Sequence, residues 1–193
     1  MTRLPLYLLL PVAALAAACA EETTVPTQKD TLAELHVDQV VYGLEHVMTT
    51  NGVRKANLHG DTAYFRDSDS RVDLKGVRLV FFNETTGAQS GTLTSRTGDY
   101  DMQSGAMTSR GNAVLHVQGP SGERVIESDE LHYDVQGNRM WSDKPTVMRE
   151  NGRVVRGNSF QSDTKFQNVT VQSARVSGLK APGQSGTGGG IRF

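Results

Sequence analysis

The chain has 193 residues, enough for one domain and too few for two ordinary ones. Its 20 Lys and Arg against 21 Asp and Glu leave a net charge of −1, so no basic excess exists to neutralise phosphates, and nucleic acid is excluded as a partner. Hydrophobic residues at 37% beside 21% charged argue against general disorder, and the single Cys excludes an internal disulfide.

From the start of the chain, Arg3 supplies a short positive region and Leu4 to Leu15 an apolar stretch of 12 residues, followed by Ala16, Ala17, Ala18 and Cys19. That run is short for a bilayer span and the small residues mark a cleavage site, so residues 1–18 are expected to be a secretory signal peptide. Small residues directly before the only Cys resemble a bacterial lipobox, with Ala16 standing where Leu is favoured. Cys19 is therefore expected to be acylated, since several acyl chains anchor stably where one does not. A plain secreted protein cut near a chance Cys is the alternative. Residues 19–34, the Cys and a polar stretch without periodicity, are expected to be the lipidated end and a flexible tether.

The region 35–178 reads as one all-β domain. Asp38 to Val47 is taken as a strand in preference to a helical turn. Further on, Val77, Leu79 and Phe81 share one face of GVRLVFF, and Ala113, Leu115 and Val117 alternate in NAVLHVQ. Leu131, Tyr133 and Val135 alternate with Glu130, His132 and Asp134, and Val169 with Val171 in NVTVQ. Period-two alternation rich in β-branched and aromatic residues is the half-buried strand signal. Turn signals fall between the runs at Asn51-Gly52, Thr86-Gly87, Ser104-Gly105, Pro120-Ser121-Gly122, Gln136-Gly137-Asn138 and Asn151-Gly152. Their spacing predicts strands of about five to eight residues. No 11-residue window carries a helical apolar stripe. Residues 179–193, rich in glycine, are expected to be a disordered tail.

The domain also repeats. Tyr64, Tyr100 and Tyr133, spaced by 36 and 33 residues, each open a unit of strand, polar turn and strand, with a weaker copy around Phe160. Repeats of this period are supersecondary units that bury an apolar face by stacking on neighbours.

Chemistry is hard to find. His36, His46, His59, His116 and His132 show no metal-ligand spacing, and Asp67 and Asp69 open a calcium-like loop that lacks its Gly and distal Glu. No nucleophile elbow, Walker motif or dinucleotide fingerprint is present. No catalytic residue, metal site or cofactor is therefore assigned, and the chain is not expected to be an enzyme.

The order of motifs then resembles a known family. VRKANLHGDTAYF, RVDLKGVRLVFF, LTSRTGDYDMQSGAMTSRGNAVL, VIESDELHYDVQGNRMWSDKPTVM and VVRGNSFQSDTKFQNVTVQ are similar to the LptC family, the periplasmic component of the lipopolysaccharide export ABC transporter, which is related to LptA and OstA-like domains. The resemblance implies a twisted antiparallel β-jellyroll (OstA-like) built from repeated strand pairs, with acyl chains of lipid A held inside. Val77, Leu79, Phe81, Leu115, Leu131 and Tyr133 are the expected groove lining, because lipid tails need a concave apolar wall without obligatory polar partners. The same residues would also line any closed β-core.

The function implied is to accept lipopolysaccharide from an inner-membrane complex of LptB, LptF and LptG type and pass it to an LptA-like bridge protein. The last strand, about Lys165 to Gln172, with Phe166, Val169 and Val171, is the expected edge for that bridge, the alternative being that the glycine-rich tail folds over this edge and shields it. The alternative is a structural outer-membrane lipoprotein or assembly scaffold with the same β-roll and no cargo. Location is expected to be the periplasm, anchored through Cys19. The inner membrane follows from the family role, and the outer membrane is the alternative because Ala20, not Asp, follows the Cys.

Overall fold

The computed structural model describes residues 36–66, 70–119, 122–177 and 191–192. Cys19, the segments expected as signal peptide and tether, Asp67 to Asp69, Pro120-Ser121 and all of the expected tail 179–193 except Ile191-Arg192, which is strand and not disordered, lie outside these. The described residues hold thirteen strands in one antiparallel sheet: β1 Gln39–Thr50, β2 Val53–Phe65, β3 Arg71–Phe82, β4 Gln89–Asp101, β5 Ala106–Gly119, β6 Gly122–Asp134, β7 Arg139–Ser142, β8 Thr146–Glu150, β9 Arg153–Gly157, β10 Ser159–Asp163, β11 Val169–Gln172, β12 Arg175–Ser177 and β13 Ile191–Arg192. Strands β1 to β6 form an up-and-down meander. After β6 the strands divide: β7 pairs the end of β6 and β8 its beginning, β10 and β11 continue from β7, and β9 and β12 from β8.

The all-β expectation holds, but β1 to β6 run 12–14 residues, longer than the five to eight expected. The reason is a line of bends across the sheet. Gly43, Asp61, Gly76, Arg96, Gly111-Asn112 and Asp129 are left out of the pairing on successive strands while the ladder resumes on either side. At this seam the inward phase slips by one residue. Inner positions run Leu58, Gly60, then Ala63 in β2; Val72, Leu74, then Val77 in β3; and Ile126, Ser128, then Leu131 in β6. Three residues separate the inner positions flanking the seam, where a regular strand has two. Gly76 sits there at φ +62, and a Cβ on it would lie 1.8 Å from Asp61 Oδ2. A side chain at that crossing would strain the left-handed backbone and push Asp61 aside.

The bends fold the sheet into two facing leaves. The first holds residues 44–50, 53–60, 77–82, 89–95, 113–119 and 122–128 with β8, β9 and β12; the second holds the other halves of β1–β6 with β7, β10, β11 and β13. Pairing places Phe81 beside Gly91, Gly91 beside Val117 and Val117 beside Arg124, nine residues before Tyr133. A flat sheet would hold Phe81 and Tyr133 roughly 30 Å apart, yet their rings meet edge to face at 5.2 Å. His46 of the first leaf likewise reaches the Tyr100 hydroxyl of the second at 2.9 Å. One contiguous apolar core fills the space between them.

The tyrosine repeat has a simple local cause. Tyr64, Tyr100 and Tyr133 end β2, β4 and β6 at the tip of the second leaf. The Asp after two of them builds the next turn: Asp101 Oδ1 accepts from the Gln103 and Ser104 amides at 2.9 Å, and Asp134 Oδ1 from Gly137 at 2.8 Å. Those amides, Ser104 foremost, hold the Asp101 carboxyl below its ordinary range.

Candidate functional site

The six residues expected to line a groove all point into the space between the leaves. Val77, Leu79, Phe81 and Leu115 come from the first leaf, Leu131 and Tyr133 from the second. All are fully buried, with Leu79, Leu115 and Leu131 at 0% exposure. In this state the interior is a packed core.

It comes closest to solvent opposite the seam, where the leaf tips meet. A cleft of about 180 Å³ lies there, lined by Lys55, Phe82 and Glu84 on one leaf and Lys165 on the other, with Phe81 and Tyr133 at its floor. Burial, reinforced by the charges of Glu84 and Asp134, pushes the Tyr133 phenol up and keeps it neutral. Lys55 Nζ donates to Glu84 Oε1 at 2.8 Å, and this bond, helped by the charge of Lys165, holds the Glu84 carboxyl below its ordinary range.

Thr164, Lys165 and Gln167 wall the cleft from the second leaf, and Phe166 between them turns inward as a plug beneath it. The expectation placed it on the edge strand, but β11 begins only at Val169, and Phe166 stands in the preceding turn at φ +57. Asp163 dictates that turn: its carbonyl accepts from the Phe166 amide at 3.1 Å, and its carboxylate from the amides of Gln167 at 2.9 Å and Asn168 at 3.2 Å. The left-handed residue drives the Phe166 ring inward, where it meets Phe81 edge to face at 5.3 Å.

A buried ion pair underlies the plug. Arg124, 1% exposed, donates from Nη1 to the Phe166 carbonyl at 3.3 Å and from Nη2 to both carboxylate oxygens of Glu150 at 3.1 Å. Its Nε finds no partner among the described residues. Sequence reading missed this pair. The available signal was phase: Arg124 shares the inner register of Ile126 and Ser128, where a charge needs a partner.

Val169 and Val171, the other expected edge residues, are buried on β11. The histidines disperse: His59 bonds Glu45 and Asp61, His116 bonds Glu123, and His132 bonds Glu130. Among the described residues no three His, Cys, Asp or Glu side chains are arranged to hold a metal ion.

Three comparisons bear on this architecture. The family model described as LptC, lipopolysaccharide-assembly, LptC-related, matches residues 6–178. No curated protein matches the chain. Among solved structures, the chain is similar to LptH, described as the LptA homologous periplasmic component of the lipopolysaccharide transport device of Pseudomonas aeruginosa, at 18% identity and a TM-score of 0.46, over 72% of this chain and 93% of that one.

Proposed function

Because this chain belongs to the LptC-related lipopolysaccharide-assembly family, we propose that it is a non-enzymatic periplasmic carrier that takes lipopolysaccharide from an inner-membrane ABC transporter and hands it to an LptA-like bridge protein. Acyl chains would enter between the leaf tips and occupy the space lined by Val77, Leu79, Phe81, Leu115, Leu131 and Tyr133. The observation that carries this reading is the cleft itself: Phe81 and Tyr133 line it, and Phe166, held by the turn whose neighbours wall it, packs on Phe81. Loading is then an exchange of contacts, in which each lipid methylene buried contributes about 0.8 kcal/mol against those the plug gives up. Anchoring through acylated Cys19 and docking of the bridge along β11 belong to the same proposal.

A photo-reactive residue at position 81 or 115 tests it directly. Lipopolysaccharide adducts at both positions, increased in a Phe166→Ala background, are the expected result. The packed state of the six residues favours one rival, a scaffold of the same shape without cargo. Absence of adducts at both positions from a folded protein would establish the scaffold instead. Mass spectrometry of the membrane form should find acyl chains on Cys19, and an unmodified chain starting elsewhere ends that part of the proposal.

A further inference from the structure

The edge assigned to the bridge is already partly occupied. Strand β11 pairs with β10 along all four of its residues, and on its other side Thr170 stands opposite Arg192 and Val171 opposite Ile191. The chain's own β13 therefore lies along half of the strand. From Ser177 to Ile191 there are 14 residue steps, which reach at most roughly 50 Å.

We infer that β13 is a built-in competitor for the β11 edge, and that a partner strand docks by displacing it. This rests on the docking mode proposed above. The edge needs a cover, since β11 contains neither Pro nor Lys and an exposed bare edge pairs indiscriminately. A strand tethered to the same chain is presented at an effective concentration on the order of mM, which suppresses weak encounters. Yet β13 pairs only two residues. A partner strand that matches Val169–Gln172 in full gains twice the ladder and wins. The partner that fits is thus an extended, antiparallel strand of at least four residues from another β-roll, and chance strands of one or two residues are refused.

The experiment measures binding of an LptA-like bridge protein to the full chain, to a chain ended after Ser177, to Ile191→Pro, and to a Thr170→Cys/Arg192→Cys pair locked by oxidation. Ending the chain, or removing the β13 donor with proline, should tighten binding about three- to tenfold. The oxidised lock should lose binding and regain it on reduction. Amide exchange of Val169–Gln172 should quicken in the shortened chain even with no partner present. Equal affinity of the full and shortened chains, or full binding by the oxidised lock, overturns the inference. Should no form bind while exchange still quickens, the docking reading fails and takes the competition with it, leaving only a covered edge.

Discussion

At the seam, neighbouring strands turn together, and the backbone itself ties one leaf to the other through Gly43, Asp61, Gly76, Arg96, Gly111 and Asp129. At the mouth, the described contacts between leaves are side-chain ones: Phe166 on Phe81, Arg124 on the Phe166 carbonyl, and Tyr133 on Phe81. Opening the seam would cost ladder hydrogen bonds on every strand it crosses, whereas opening the mouth costs side-chain contacts, the His46–Tyr100 and Arg124–Phe166 hydrogen bonds among them, and exposes the apolar core behind them. The difference makes the seam the covalently continuous end of the two-leaf sandwich and the tips the end held by side chains alone.

The largest effect should come from the pair beneath the plug. Glu150→Ala leaves Arg124 buried without its carboxylate and is expected to cost about 3–5 kcal/mol in denaturant unfolding. Replacing both members by Met and Leu should recover most of that, because the unpaired charge is then absent. A double variant as unstable as Glu150→Ala alone would remove the pair from the account of the mouth.

Phe166→Ala should cost about 3 kcal/mol, the low end for a buried Phe, since a turn relaxes more readily than a core strand. It must also raise lipid crosslinking at position 81, a gain that simple destabilisation of a closed core does not produce. At the seam, Gly76→Ala is expected to cost about 2 kcal/mol through its left-handed backbone and the displaced Asp61. Here crosslinking should fall or stay level, because the seam is disturbed and the plug is untouched. Equal crosslinking in both variants would erase the distinction between seam and mouth.

The smallest effect concerns the rim. The Glu84 carboxyl is lowered chiefly by its bond from Lys55, so its contribution is complete above the unfolded value of 4.5 and is lost as pH falls through the lowered folded value. With both side chains partly exposed it is worth about 0.2–1 kcal/mol. Lys55→Met should flatten the acid side of the stability profile, as pH falls below the unfolded value of 4.5, relative to the parent chain.

Much of this was legible beforehand. The alternation that put Val77, Leu79 and Phe81 on one face, and Leu131 with Tyr133 on another, matches their buried positions. The strand lengths came out short for a physical reason: period-two reading loses its phase where the seam inserts one residue, so it finds half-strands and stops. Phe166 was read as strand because it continues the alternation of Asn168 and Thr170, while the Asp163 carboxylate that captures two following amides acts through turn geometry that alternation does not register.

Local pattern therefore determined which residues face inward, where the tight turns fall and that the units repeat, since each depends on backbone preferences within a few residues. Tertiary structure alone decided which inward faces meet. Phe81 and Tyr133 become neighbours only when the bends of successive strands line up into one seam. Arg124 finds Glu150 across the β6–β8 ladder, and β13 finds β11 across a return of the chain. Such pairings join residues 20 to 52 positions apart, and what selects among them is the closure of one shared core.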